Sequence, residues 1–197
     1  MASIEKRELK VEDIRKLAEE KSCPLQKALY YIEEFYSGPM CGKCFPCSLG
    51  SYEAKIKLQK IMDGNGTERD LEVLKVIAND MLAGSMCKKG KDTAQFILQW
   101  METGVFDEHI NGVCPDMVCH AFIEYRIIPE KCNNCGICID VCKYSAIFGE
   151  KAKPFQSGYL PFEIRQKKCV KCGDCLDVCP TGAIVVVKAK KNEPVGV

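Results

Sequence analysis

Fifteen cysteines in 197 residues set the chemistry open to this chain. Eight of them fall into two matched runs, Cys132-x2-Cys135-x2-Cys138-x3-Cys142 and Cys169-x2-Cys172-x2-Cys175-x3-Cys179. Three thiolates at this spacing cap three corners of a cubane 4Fe-4S core, and the fourth corner is reached by the last cysteine of the other run. The expected ligand sets are therefore Cys132, Cys135, Cys138 and Cys179 for one cluster, and Cys142, Cys169, Cys172 and Cys175 for the other. Structural zinc is the competing chemistry for closely spaced thiols, but two matched runs of this kind are hard to produce for zinc.

A third run, Cys41-Gly-Lys-Cys44-Phe-Pro-Cys47, again offers three thiolates and lacks a nearby fourth. Cys87, in the segment SMCKKG, is the natural closure, and Gly42 lets the backbone fold tightly around an inorganic core. Spacing alone leaves iron-sulfur and zinc both open for this set. Cys23, Cys114 and Cys119 remain, with His109 and His120 as the two histidines of the chain. The segment DEHINGVCPDMVCH gathers four of these five groups. A Cys3His shell is a common closed zinc site, so Cys23, His109, Cys114 and Cys119 can form a structural tetrahedral centre. His120 in place of Cys23, a further cluster, or inert buried thiols are the alternatives.

The elements that must position these groups follow from apolar spacing and from breakers. Residues 1–22 are charged, with a thin apolar stripe at Ile4, Val11, Ile14 and Leu17, and read as a surface helix or docking arm. Leu25, Leu29, Ile32 and Phe35/Tyr36 mark a helix ended by Gly38-Pro39. After the third cysteine run come a helix around Ile56, Ile61 and Met62 and another opened by the Thr67-x-x-Asp70 cap, with Leu71, Leu74, Ile77, Ala78 and Met81 on one side. A last helix, about Asp92 to Glu102, carries Phe96, Ile97, Trp100 and Met101, with Trp100 expected in the core. Beyond it the chain duplicates itself, since EKCNNCGICIDVCKYSAI at 130–147 returns as KKCVKCGDCLDVCPTGAI at 167–184, a period of 37 residues. A single helical turn after each cluster and β-type exits at Ala146-Ile147-Phe148 and from Ala183 to Val187 suggest a small pseudo-twofold α+β domain. The expected layout is α+β: an N-terminal arm (1–22), a helical-bundle 4Fe-4S domain (23–104), a zinc-binding linker (105–128) and a two-cluster ferredoxin-like domain (129–197).

Composition excludes several other classes. The chain is 47% hydrophobic and 28% charged with a formal charge of +1, so it is globular and carries no basic excess for nucleic acid. The longest apolar run, Ala183 to Val187, is far short of a membrane span, and MASIEKRELK lacks a signal-peptide core, so a cytoplasmic location is expected. In that compartment so many thiols are metal ligands rather than disulfides. No G-x-G-x-x-G follows a strand, no P-loop is present, and there is no room ahead of Cys23 for a flavin or nicotinamide domain, so neither NADH nor FMN is expected to bind. No catalytic dyad is visible. Three oxidised clusters at -2 each and a zinc site at -1 would carry the charge from +1 to about -6. A partner's docking surface is then expected to be basic near the clusters, with Lys167, Lys168, Lys171, Lys188, Lys190 and Lys191 partly masking the field.

The duplicated segment resembles the two-cluster bacterial-type ferredoxins. Cys179-Pro180 keeps their usual proline, whereas Cys142 is followed by Lys143, a positive charge expected to favour the reduced state of one cluster. The CGKCxPC run with its bundle and distant cysteine is similar to the 4Fe-4S domain that ends the NADH-binding flavoprotein subunit of respiratory complex I and of NAD-linked hydrogenases, with Met40 and Ser48 where that family tends to have serine and arginine. The segment from His109 to Cys119 resembles the linker of bifurcating-hydrogenase flavoprotein subunits, which contributes to a zinc hinge. Residues 23–187 as a whole look like the C-terminal third of such a subunit. As a freestanding chain it resembles the small iron-sulfur partner of tungsten enzymes of the aldehyde oxidoreductase class, notably class II benzoyl-CoA reductase. That resemblance implies an electron-transfer subunit with three 4Fe-4S clusters and one Zn2+, a tungstopterin catalytic subunit at one end, and a flavoprotein or ferredoxin donor or acceptor at the other. The iron-sulfur subunit of a hydrogenase or formate dehydrogenase is the alternative, and a zinc-binding interaction protein the remote one.

Overall fold

Helices form where apolar residues recur at helical spacing, and glycine, proline and cysteine-bearing turns separate them. In a computed structural model, which describes residues 9–153 and 160–189, they run as α1 Val11–Glu19, α2 Pro24–Ser37, α3 Phe45–Met62, α4 Glu68–Gly84, α5 Lys88–Met101 and α6 Val105–Ile110. Ile4 of the N-terminal stripe, Lys190 and Lys191 lie outside the described residues. The chain divides into two compact units between Phe122 and Ile123, inside the segment 105–128 read from the sequence as a linker.

In the first unit α2 buries Leu25, Ala28, Leu29, Tyr31, Ile32 and Phe35 along one face. Tyr31 stacks on Phe96 of α5 with centroids 4.3 Å apart, and Trp100 meets the edge of Phe96 while Lys27 lies over its indole. Helix α1 packs on this core through Ile14 and Ala18, both fully buried, while its opposite face carries charge. Helix α3 starts at Phe45, inside the third cysteine run, because Pro46 near its N-terminus is pre-set for helical backbone. A Cβ on Gly50 would collide with Cγ and Sδ of Met81, so glycine is what lets α3 and α4 cross this closely. Thr67 and Asp70 close a reciprocal capping box at the start of α4. The nearly buried Asp70 carboxylate also accepts from Lys57 at 2.8 Å and Lys60 at 2.7 Å, both on α3. Those two ammonium groups, followed by the Thr67 hydroxyl, hold its carboxyl well below the usual carboxylate range.

The second unit orders β1 Ile123–Ile127, α7 Ile137–Val141, β2 Ile147–Phe148, β3 Glu163–Ile164, α8 Asp174–Asp177 and β4 Ile184–Lys188. Antiparallel β1 and β4 pair with Ile127 opposite Ile184, and β2 and β3 pair with Ile147 opposite Ile164. A shift of 37 residues exchanges one pairing for the other, so the sequence repeat is a pseudo-twofold in space. Left-handed backbone repeats with it: Asn134 and Lys171, Gly136 and Gly173, and Ser145 and Gly182 all have positive φ. The single helical turns and the β-type exits occur as expected; the entry strands β1 and β3 are additional. Among the described residues no helix is long and apolar enough to cross a membrane.

Candidate metal centres

The first centre is assembled by two helix starts. Cys44 is the N-cap of α3 and Cys87 the N-cap of α5, both with extended backbone, and neither side chain is used in capping. Both sulfurs are therefore available to a metal, and the partial positive charge of two helix N-termini is directed to the same place. Cys47, in the first turn of α3, senses the charges of Cys44 and Cys87, so the three are brought together. Burial above all, then the Cys44 thiolate, pushes Cys47 up to about 11. The Cys44 thiol is lowered instead, chiefly by the Met86 backbone N-H. Exposed Cys41 lines a surface cavity together with Lys88 and Lys89 of the α5 start. Cys44 and Cys47 at the start of α3 and Cys87 at the start of α5 offer three thiols, and Cys41, three residues ahead of Cys44, would supply the fourth of a cubane donor set.

The second and third centres occupy the repeat. One small cavity is lined by Cys132, Cys135, Cys138 and Cys179, and another by Cys142, Cys169, Cys172 and Cys175. Each combines three cysteines of one run with the last cysteine of the other. The two last cysteines are treated alike, for Cys142 Sγ accepts the Ala146 N-H at 3.4 Å and Cys179 Sγ the Ala183 N-H at 3.3 Å. Burial opposes the Cys179 thiolate, but the Thr181 hydroxyl and the amides of Thr181, Ala183 and Ile184 outweigh it and lower its pKa. Cys175 is pushed up to about 11, first by burial and then by the thiolates of Cys169 and Cys172; Cys138 is raised by burial and by the thiolates of Cys132 and Cys135. Like charges gathered at this density call for cationic metal between them.

The fourth centre is closed, and it lies wholly within the first unit. The ligand atoms of Cys23, His109, Cys114 and Cys119 all lie within 4.8 Å of one another, and all four residues are buried. Cys23 precedes α2, His109 sits in the last turn of α6, and Cys114 and Cys119 flank a loop in which Met117 takes positive φ. The His109 Nδ1-H donates to the Val105 carbonyl at 2.7 Å, which leaves Nε2 as the ligating nitrogen, 3.5 Å from Cys23 Sγ. Phe122 meets the imidazole edge-on. Burial opposes protonation of His109, but the Cys23 side chain and the Val105 carbonyl raise it to about 9. Hydrogen bonding from Cys119, opposed by burial and aided by His109, brings Cys23 down to about 4; the same contact and burial raise Cys119. A soft S3N set with its histidine held from behind fits tetrahedral zinc. His120 is exposed and stands apart from this group, in a surface groove with Lys21 and Tyr30.

Two polar residues at the first centre were not singled out from the sequence. Ser51 and Ser85 are buried, and neither hydroxyl completes a hydrogen bond within the protein. Ser51 follows Cys47 by one helical turn, a relation that becomes visible only once α3 is known to begin at Phe45. Ser85 had no comparable signal.

Comparison with known proteins agrees with this division. Residues 27–110 match the family described as the NADH-ubiquinone oxidoreductase-F iron-sulfur binding region, and residues 131–183 match the 4Fe-4S dicluster domain. The NADP-reducing hydrogenase subunit HndC of Solidesulfovibrio fructosivorans is 34% identical over 139 residues, 69% of this chain and 28% of that protein. The F component of NADH-quinone oxidoreductase from Aquifex aeolicus is 36% identical over 76 residues, 39% of this chain and 18% of that protein. The NADP(+)-dependent formate dehydrogenase subunit beta of Moorella thermoacetica is 31% identical over 78 residues, 40% of this chain and 11% of that protein. The chain thus spans less than a third of the length of each of these relatives. Its helical NADH-ubiquinone oxidoreductase-F iron-sulfur region, followed by a ferredoxin-type 4Fe-4S dicluster domain, makes it an iron-sulfur electron-transfer protein related to hydrogenase and formate dehydrogenase subunits.

Proposed function

We propose that the chain is the wire of a multi-subunit oxidoreductase. It carries three 4Fe-4S clusters, on Cys41, Cys44, Cys47 and Cys87, on Cys132, Cys135, Cys138 and Cys179, and on Cys142, Cys169, Cys172 and Cys175, and one structural Zn2+ on Cys23, His109, Cys114 and Cys119. The observation that carries this is the sorting of the repeat's eight cysteines into two cavities, each with three cysteines of one run and one of the other. Bound clusters supply one-electron chemistry. The protein's own residues hold the clusters, donate backbone N-H groups to their sulfurs and exclude water from Cys44, Cys47, Cys138 and Cys175.

A flavoprotein or ferredoxin exchanges electrons at one end of this wire and a catalytic subunit at the other. For the catalytic subunit we favour a tungstopterin protein of the class II benzoyl-CoA reductase type, on the resemblance of the cysteine pattern to the small iron-sulfur partner of such enzymes. A second reading, the iron-sulfur subunit of a hydrogenase or formate dehydrogenase, is favoured by the names of the relatives HndC and formate dehydrogenase beta. The thiol-rich composition supports a cytoplasmic site of action.

Anaerobic purification with bound partners, followed by metal analysis, tests all of this. About 12 iron and one zinc for this chain are expected from three cubane sites and one tetrahedral site. Added tungsten supports the benzoyl-CoA reductase type, whereas nickel or extra iron without tungsten supports a hydrogenase. Zinc alone overturns the wire.

A further inference from the structure

Burying a hydroxyl without a partner forfeits its hydration with nothing in return, so two such groups beside one cysteine pocket require an explanation. Ser51 is 0% exposed and Ser85 3%, and neither oxygen completes a hydrogen bond. Both face Cys47. Ser51 stands one turn along α3 from Cys47, on the same side of the helix. Ser85 approaches from the segment that leads into Cys87. A Cβ built on Gly90 would stand 2.7 Å from Ser85 Oγ and 3.1 Å from Cys47 Sγ, so the bare glycine keeps open the space around that hydroxyl and sulfur. Other hydroxyls nearby are occupied: Ser48 donates to the Cys44 carbonyl at 3.1 Å and Thr93 to the Lys89 carbonyl at 2.9 Å. A helical serine usually returns its proton to the carbonyl one turn back, and Ser51 does not.

We propose that the Ser51 and Ser85 hydroxyls donate hydrogen bonds to the sulfurs of the first cluster, at the Cys47 thiolate and the inorganic sulfides beside it, and that they set its reduction potential. The inference rests on the reading that Cys41, Cys44, Cys47 and Cys87 hold a 4Fe-4S cluster. Reduction adds one electron to the cluster and moves no proton. A donor aimed at the sulfurs stabilises the more negative reduced form, so each hydroxyl raises the potential. Both residues are positioning groups, since the iron is held by the cysteines.

The test uses the full chain, purified anaerobically with its clusters, and follows the first cluster by electron paramagnetic resonance through a redox titration. Ser51→Ala and Ser85→Ala are each expected to keep the signal and to lower the reduction equilibrium about tenfold, which for one electron is about 59 mV. Ser51→Thr, which keeps a hydroxyl, is expected to hold the native potential, and so is the control Ser48→Ala. In D2O, electron-nuclear double resonance of the reduced native cluster is expected to show exchangeable deuterons, fewer of them in the alanine variants. Retained signal with unchanged potential and unchanged deuteron couplings overturns the proposal, as does a native cluster with no strongly coupled exchangeable deuteron. A native chain with only the two ferredoxin-type signals instead fails the ligand assignment for the first cluster.

Discussion

The two units solve the same problem, holding thiolates around metal, with opposite means. The first buries Tyr31, Phe35, Leu58, Leu74, Phe96 and Phe106 in a shared core, and its cysteines sit at the ends of helices that the core already holds. The second buries only a short set of apolar side chains, Ile123, Tyr125, Ala146, Ile147, Phe162, Ala183 and Ile184, and its cysteines Cys138 and Cys175 are buried with them. Its strands are two to five residues long. With so few apolar side chains to bury, this unit gains little from its core, and metal binding then becomes folding free energy. On the proposed assignment, metal in the first unit is a guest of a finished fold, and in the second it completes the core.

Removal of iron is the most severe way to try to break this contrast. Oxidative extraction with a chelator is expected to leave most of the far-ultraviolet helical signal, and limited proteolysis should then digest the chain beyond Ile123 while sparing a fragment that ends near Phe122. Equal loss of both units would abolish the distinction. His109→Ala comes next: zinc should leave and the thermal midpoint of the helical unit should fall, with iron content and all three cluster signals retained. A drop in iron would refute a separate zinc centre.

Asp70→Asn probes packing-based stability in the first unit alone and should cost about 2 kcal/mol in thermal or urea unfolding, with the cluster pair untouched. Because Lys57, Lys60 and Thr67 depress the folded pKa of Asp70, its contribution is complete above its unfolded pKa of about 3.9 and fades as pH falls toward the folded value. The gap between native and variant proteins should therefore be steady from pH 8 to 5 and shrink below about pH 4. Smallest is Lys143→Gln in the second unit. The lysine is exposed, so the nearby cluster should become harder to reduce by less than about tenfold in its equilibrium, read from a redox titration.

Cysteine spacing made the groupings of side chains legible because thiolate ligation imposes short, fixed separations along the chain. The grouping of Cys142 with Cys169, Cys172 and Cys175 was readable for that reason, and so was the closeness of Cys23 to His109, since few other soft ligands remained. Apolar periodicity likewise marked α2, α4 and α5. What escaped was non-local or stereochemical. The pairing of β1 with β4 joins segments some 60 residues apart, and no local signal in Ile123–Ile127 names its partner. Helix α6 is six residues long, too short for a period to declare itself, and its sequence looked like part of a linker. Ser51 and Ser85 are ordinary serines until the helix start at Phe45 and the bare Cα of Gly90 are known.

The exchange of Ile127–Ile184 for Ile147–Ile164 under the 37-residue shift also bears on history. Neither half of the second unit is self-sufficient: each lends a strand to the other's sheet and a cysteine to the other's cavity. A primitive peptide of one half's length could have closed both cavities only by dimerising with a copy of itself about the same twofold. Tandem duplication would then have converted an association that depended on concentration into an intramolecular one. Once joined, the halves were free to diverge, and Lys143 in one and Pro180 in the other now occupy what began as a single position.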